Sequence, residues 1–144
     1  MIAIGCDHAG FEMKKALIDA LSIIGFEFYD LGCDGSPCDY PVIAEAVCNE
    51  VLNGKCEKGI LICGTGIGMS IAANKIKGIR AALCSDSFST KFTRLHNDAN
   101  IMCLGARTLG SGLAAELAQI FLTTEFEGGR HQRRLDLITE IENK

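Results

Sequence analysis

Alternation of short apolar runs with longer amphipathic stretches along the 144-residue sequence predicts an α/β protein with a parallel sheet. Five apolar runs have the length of strands, and each precedes a stretch with apolar residues at helical spacing. Glycine, asparagine and proline mark most boundaries. Because strand–helix–strand units build parallel sheets covered on both faces, we predict one domain over 1–144, a Rossmann-like three-layer sandwich.

The first half of the sequence contains three strand–helix pairs. Gly25 ends the first helix and Asn53-Gly54 the second, and the loop over 32–41 is rich in Asp, Gly, Ser and Pro. The predicted elements are strands over 2–6, 26–31 and 60–63, and helices over 11–24, 42–51 and 69–75.

The second half continues the pattern and then departs from it. Strands are predicted over 79–84 and 101–104, and helices over 87–95, 111–122 and 130–142. No strand follows the last helix, although Leu135, Ile138 and Ile141 form an apolar stripe along it. That stripe packs either on its own domain or on a second chain, and we favour a partner subunit.

Composition excludes several classes of protein. A net charge of −4 and a pI near 5.3 supply no global basic field, so nucleic acid is not an expected partner. No apolar run approaches the ~18 residues of a membrane span and no signal peptide opens the chain, so we expect a cytoplasmic protein. The eight cysteines lack any C-x-x-C spacing, and no zinc site or disulfide framework is predicted.

The segment Cys63-Gly64-Thr65-Gly66-Ile67-Gly68 carries the clearest functional signal, because it connects a buried strand to a helix. Glycines at the carboxyl end of a parallel strand let backbone N–H groups close on an anion. Cys63 at the mouth of such a loop is either one more core thiol or a reactive thiolate favoured by the helix N-terminus.

Other polar residues follow the predicted elements. Asp7 and His8 come after the first strand, where His8 either binds an anion or caps a turn. His96, near a helix end, is either a polar surface residue or an acid–base group. Arg130 and Arg134 share a face at the start of a helix, where positive charge opposes the helix dipole and an anionic ligand would relieve the conflict.

A thiol, an imidazole, an amide-lined loop and an arginine pair together suit one reaction. Moving a proton between adjacent carbons of a sugar phosphate needs a base, an acid for the oxygens, donors for the enediolate and an anchor for the phosphate. Each requirement has a candidate group in this sequence.

The sequence resembles the B-type ribose-5-phosphate isomerase family, which also includes galactose-6-phosphate and allose-6-phosphate isomerases. The resemblance covers essentially the whole chain. Its motifs are Gly5-Cys6-Asp7-His8-Ala9-Gly10, Asp39-Tyr40-Pro41, Ile62 to Gly68 with Ala72-Ala73-Asn74-Lys75, His96-Asn97-Asp98-Ala99-Asn100, and Gly128-Gly129-Arg130-His131-Gln132.

The resemblance implies interconversion of D-ribose 5-phosphate and D-ribulose 5-phosphate through a cis-enediolate, without a metal or organic cofactor. In that scheme Cys63 is the base that carries the proton between C1 and C2. Thr65 and His96 assist proton movement at the sugar oxygens, with His96 favoured for opening the furanose ring.

The resemblance also implies which residues bind the substrate. They hold the enediolate oxygens through backbone amides, bind sugar hydroxyls, bind the phosphate or line the pocket. The implied residues are Gly64, Thr65, Gly66, Ile67 and Gly68 for the enediolate, Asp7 and Asn97 for the hydroxyls, His8, Arg130 and Arg134 for the phosphate with Arg107 adding positive charge, and Tyr40 for the pocket wall.

Assembly and substrate are further implications of the resemblance. Members of the family are homodimers or dimers of dimers whose active sites take residues from both chains, so the tail arginines serve a neighbour's site. Some relatives use a glutamate one residue beyond the glycine loop, where this chain has Met69, and the thiol version is therefore indicated. A pentose phosphate is favoured as substrate, and allose or galactose 6-phosphate is the alternative.

Two other classes compete with an isomerase. A nucleotide-binding module would also place a glycine loop between strand and helix, with Asp86 as the ribose-binding acid, but Met69 occupies the last glycine position of G-x-G-x-x-G. A thiol hydrolase or redox protein would use Cys63 as nucleophile and His96 as base, but no resolving cysteine accompanies Cys63.

Overall fold

A five-stranded parallel sheet forms the centre of the computed structural model, which describes residues 1–144. The strands are β1 Ile2–Cys6, β2 Phe28–Asp30, β3 Lys58–Cys63, β4 Ala81–Leu83 and β5 Ile101–Gly105. Their order in the sheet is β2-β1-β3-β5-β4, so the direction in which strands are added reverses between β1 and β3. The predicted parallel α/β sandwich is thereby confirmed.

Helices cover both faces of the sheet, and four of the six contribute apolar side chains to one of two buried clusters. On one face, Leu17 and Phe121 pack with sheet residues such as Ile62, and on the other, Val47 and Met69 pack around Leu61. Complete burial of a side chain of this size stabilises the fold by about 1.5–3 kcal/mol. The helices are α1 Phe11–Ile23, α2 Tyr40–Leu52, α3 Ile67–Ala73, α4 Ser87–Asn97, α5 Ser111–Thr123 and α6 Arg130–Glu142.

Element boundaries differ from the predictions mainly at the sheet edges. β2 pairs only with β1 and β4 only with β5, and both have three residues instead of the six expected from their apolar runs. Two helices begin earlier than predicted: α2 at Tyr40 and α3 at Ile67. In α2 the proline at position 41 lies in the first turn, where its missing N–H costs no helical hydrogen bond.

Helix α6 packs only partly on its own chain. Leu135 is buried and the Glu142 carboxylate accepts a hydrogen bond from the Gly78 N–H over 2.9 Å. Leu137, Ile138 and Ile141 remain 46%, 47% and 67% exposed. Of the predicted apolar stripe, Leu135 is therefore buried within the chain, whereas Ile138 and Ile141 form an exposed outer face together with Leu137. Packing of that face on a partner stays a prediction. None of the helices is long and apolar enough to cross a membrane.

Candidate active site

The glycine loop follows β3 at the reversal of strand order, where open parallel sheets form a crevice. Cys63 is the last residue of β3 and is 5% exposed. The Gly66 N–H points at its sulfur, with 3.2 Å between the nitrogen and Sγ. This contact fixes the position of the thiol at the mouth of the loop.

Both the backbone conformation and the close packing at position 66 require a glycine. Its φ of +80° lies in the left-handed region, and a Cβ at this position would come within 2.9 Å of the Leu104 carbonyl carbon. Its left-handed turn ends the loop and starts α3, so the chain passes from strand to helix with the Gly66 N–H directed at the thiol.

We expect Gly66→Ala to lower the free energy of unfolding by at least about 1–2 kcal/mol, the usual cost of left-handed backbone for a residue with a Cβ. A urea denaturation curve measures the change. Gly112→Ala is the matched control, because a Cβ there meets nothing within 4 Å and alanine favours the helix. Equal stability of the two variants would show that the loop tolerates a side chain at Gly66.

Tyr40 and Thr65 lie beside the same loop. The Tyr40 ring lies over Gly68 so closely that a Cβ on that glycine would be 2.8 Å from ring carbons. The Thr65 hydroxyl accepts a hydrogen bond from the Ile67 N–H over 3.2 Å and is exposed at the loop surface. Both side chains therefore border the space in front of the glycine loop.

Asp7 and His8 follow β1, the strand next to β3. Asp7 is 9% exposed, and its carboxylate accepts a hydrogen bond from the Ala9 N–H over 2.9 Å. Asp7 therefore caps a short 3-10 turn, His8–Gly10, so the capping role considered for His8 belongs to its neighbour. The His8 side chain is exposed and makes no hydrogen bond within the chain, which leaves its imidazole available to a ligand.

Arg107 brings positive charge to the glycine loop. Its backbone N–H donates to the Gly64 carbonyl over 2.9 Å, and its guanidinium lies 3.3 Å from where a Gly64 Cβ would be. The Arg107 side chain is exposed. This position fits the predicted contribution of Arg107 to the charge of an anion site.

Most other thiols are buried in the two clusters. Burial raises the pKa of Cys6 to about 11 and that of Cys48 to about 12, and it also raises the pKa of Cys103. These groups are uncharged thiols at neutral pH and act as small apolar residues. All eight cysteines are free.

A second group of predicted residues gathers where α4 ends and α6 begins. The Glu127 N–H donates to the Leu95 carbonyl over 3.1 Å and joins the two segments. Arg130 and Arg134 are exposed in the first turns of α6, and neither makes an ion pair within the chain. Asn97, the last residue of α4, is also exposed.

His96 is held by aromatic neighbours in this second group. Its ring stacks on His131 with centroids 4.0 Å apart and planes 13° apart, and it meets Phe92 edge-on at 5.0 Å. Burial, with the charges of His96 and Arg130 as further causes, lowers the pKa of His131. At neutral pH His131 is therefore an uncharged imidazole beside the predicted acid–base group.

No pattern in the sequence predicted a role for Glu127 or His131. The Glu127 carboxylate lies 3.6 Å from His131 Nε2 and 4.0 Å from His96 Nε2. His131 lies in one of the family motifs, but only its stacking on His96, which is distant in sequence, shows that it belongs to this group of residues. Glu127 sits in a glycine turn with no pattern around it that would have signalled a contact.

One chain does not bring the two groups together. The Asn97 carbonyl accepts from Arg80 Nε over 2.8 Å just before β4, so α4 ends at the amino edge of the sheet. Cys63 and the glycine loop lie at the carboxyl edge. At ~3.3 Å per residue, the length of β3 alone separates the edges by on the order of 15 Å. His96, Asn97, Arg130 and Arg134 are thus remote from Cys63 of the same chain.

The two residues that bear on a nucleotide site, Asp86 and Met69, have structural roles here. The Asp86 carboxylate caps α4 by accepting from the Ser89 N–H over 2.6 Å. Met69 is fully buried and packs in the core beneath α3. Neither Asp86 nor the glycine loop therefore presents the contacts that a dinucleotide requires.

Comparison with known proteins shows the family of this chain. Residues 2–138 match the model of a protein family described as Ribose/Galactose Isomerase. The chain is 46% identical over 144 residues to ribose-5-phosphate isomerase B of Escherichia coli strain K12, and the match covers 99% of this chain and 97% of that protein.

Solved structures match over the same extent. Ribose-5-phosphate isomerase B of Clostridium thermocellum is 46% identical, with a TM-score of 0.96 over 99% of this chain and 97% of that one. The enzyme of Mycoplasma genitalium, solved with bound ribulose-5-phosphate, is 40% identical, with a TM-score of 0.92 over 99% and 96%. The resemblance drawn from the motifs is confirmed, and the chain belongs to the ribose/galactose isomerase family.

Proposed function

We propose that this protein interconverts D-ribose 5-phosphate and D-ribulose 5-phosphate, with Cys63 as the base. The observation that carries the proposal is the Cys63 sulfur held 3.2 Å from the Gly66 nitrogen, at the mouth of an amide-lined loop. A relative of the same fold was solved with ribulose-5-phosphate bound, which supports a pentose phosphate as substrate.

The proton transfer starts from the open-chain aldose. The Cys63 thiolate removes the proton from C2, and the electrons of that C–H bond form the C1–C2 double bond of an enediolate with negative charge on O1. Backbone amides of the loop stabilise that charge. The Cys63 thiol then returns the proton to C1 while a proton moves from O2 to O1, which yields the ketose and the thiolate. The isomerisation needs no added oxidant or reductant, because the electron pair stays within the sugar.

Ring opening precedes this step because ribose 5-phosphate exists mainly as a furanose. Opening removes the proton from the O1 hydroxyl and delivers one to the ring oxygen, so a group that accepts and returns protons near neutral pH is suited to it. We assign this role to His96, whose ring is oriented by the stack on His131.

The division of the site between opposite sheet edges supports a shared active site. A proton acceptor on Cys63 and a ring-opening imidazole on His96 serve one sugar only if they lie within one pocket. We therefore propose that two copies, as a dimer or within a dimer of dimers, place His96, Asn97, Arg130 and Arg134 of one chain against the glycine loop of the other. The exposed outer face of α6 is available for that contact.

In this assembly the phosphate binds between the chains. His8 and Arg107 approach it from the carboxyl edge, and Arg130 and Arg134 approach it from the partner. We expect Arg134→Ala to raise the Michaelis constant for ribose 5-phosphate about 10- to 150-fold, as loss of a hydrogen bond between charged groups does, with a smaller effect on kcat. Steady-state kinetics measure this effect, with Arg133→Ala at the adjacent, also exposed position as the control. An unchanged Michaelis constant in Arg134→Ala would remove this residue from the phosphate site.

Turnover of ribose 5-phosphate, allose 6-phosphate and galactose 6-phosphate by purified protein in chelator tests the proposal directly. Fast conversion of the pentose phosphate supports it. A preference for a hexose phosphate keeps the mechanism and changes the substrate. Lack of turnover with all three sugars overturns the proposed function.

A further inference from the structure

Two imidazoles and one carboxylate meet where α4 ends and α6 begins, and their donor atoms lie within 4.8 Å of one another. We propose that His96, Glu127 and His131 bind a divalent transition metal ion of the zinc, cobalt and nickel class, and that this ion inhibits the enzyme. The binding site stands on these three side chains alone. Its inhibitory effect rests on the proposed function of His96.

The donor set selects the kind of ion. Two imidazole nitrogens and one carboxylate oxygen suit zinc, cobalt and nickel, and they leave a coordination position open for water. The cysteines that would favour a softer ion lie elsewhere, and none of them belongs to this cluster. Hard cations such as calcium prefer oxygen ligands and are poorly matched to it.

The backbone that carries the donors is fixed before any ion arrives. The hydrogen bond from the Glu127 N–H to the Leu95 carbonyl holds the Glu127 backbone against the residue that precedes His96. Gly128 and Gly129, with φ of +70° and +57°, turn the chain into α6, and the His131 N–H donates to the Gly128 carbonyl over 3.1 Å. Binding therefore orders side chains and does not require the segment to fold.

The donor atoms are also unoccupied. Neither imidazole forms a hydrogen bond with another group of the chain, although His131 is only 5% exposed. Glu127 is the only carboxylate facing both rings. The Glu127 carboxylate lies beyond hydrogen-bond distance of both imidazole nitrogens. A bound ion would coordinate all three groups at once.

Small movements bring the donors to bonding distance. Metal–ligand bonds of about 2.0–2.2 Å place tetrahedral donors about 3.3–3.5 Å apart, and the separation of 3.6 Å between Glu127 and His131 is already close to this. His96 must turn out of its parallel stack, and its side chain is 36% exposed, which leaves it room. Arg130 and Arg134 repel a dication, so we expect a dissociation constant on the order of micromolar.

A bound ion would occupy the lone pair that His96 needs for proton transfer. The proposed consequence is reversible inhibition, since the coordinated imidazole cannot accept a proton from the sugar. Substrate and ion would compete because both require the same side chain.

Cobalt binding to the whole, chelator-treated protein tests the site without reference to activity. We expect visible absorption typical of nitrogen and oxygen ligands, saturating at about one ion per chain, without intense thiolate charge-transfer bands. Glu127→Gln and His131→Asn should each weaken binding about tenfold or more. Glu125→Gln, an exposed acid on the same segment, is the matched control and should bind as the wild type does.

Zinc titration of isomerase activity tests the consequence. We expect zinc to inhibit the wild type, chelator to restore it, and the ratio of activity with and without zinc to approach one in Glu127→Gln. Cobalt binding that persists in both Glu127→Gln and His131→Asn, or thiolate bands that disappear in Cys63→Ala, would overturn the site. Binding without inhibition would overturn the inhibitory effect alone. A protein that binds cobalt through Glu127 but isomerises no sugar would retain the site and overturn the proposed function.

Discussion

Replacing Cys63 with alanine is expected to reduce interconversion of ribose 5-phosphate and ribulose 5-phosphate by on the order of 1000-fold or more, because the methyl group cannot accept the C2 proton. Substrate binding should persist, since the phosphate is assigned to imidazole and guanidinium groups on other elements. Exchange of the ribulose 5-phosphate C1 proton with deuterated solvent, followed by NMR, isolates the proton transfer. Calorimetric titration of the variant with ribose 5-phosphate measures binding without interference from turnover.

A control with another buried thiol separates chemistry from packing. Cys84 follows β4 at the same edge of the sheet and is 1% exposed, and burial raises its pKa. Cys84→Ala removes the same volume and should leave the exchange rate within about tenfold of the wild type. Comparable loss in the two variants, or near-normal turnover in Cys63→Ala, would contradict the assignment of Cys63 as the base.

Local pattern was sufficient to predict the fold. The alternation of elements and the glycine loop are encoded over short stretches, so the parallel sheet, Cys63 at the end of β3 and the turn into α3 were all predictable. Strand length at the edges was not, because an apolar run marks burial and not the number of paired residues. β2 and β4 each have one neighbouring strand, and the residues that follow them, Leu31 and Cys84, add only a single backbone hydrogen bond each to that neighbour.

The layout of the site was only partly predictable. Parallel strands require helices to run back, so the end of α4 must lie at the edge opposite to Cys63. Chain direction therefore excludes a pocket formed by Cys63 and His96 of one chain. The stack of His131 on His96 and the approach of Glu127 depend on how α6 crosses α4, which no local pattern records.

Mixing two inactive variants should restore activity if the active site is shared. Cys63→Ala lacks the base and His96→Asn lacks the ring-opening group, for which we expect a loss of on the order of 100- to 10,000-fold. In a mixed dimer one site combines the intact Cys63 of one chain with the intact His96 of the other, and the second site has neither.

Random reassembly of equal amounts gives half mixed dimers, each with one working site of two, so about a quarter of wild-type activity should return. Ribose 5-phosphate turnover is measured before and after subunit exchange under mild denaturation. A mixture of Cys63→Ala and Cys63→Ser is the control, because both lesions lie on the same side of the pocket and no arrangement of chains repairs them. If the first mixture stays as inactive as its parents, the proposed shared active site is overturned, because no pocket then combines Cys63 of one chain with His96 of the other. Since a packed parallel sheet keeps Cys63 and His96 of one chain apart by the length of its strands, His96 would then have to act outside the Cys63 pocket.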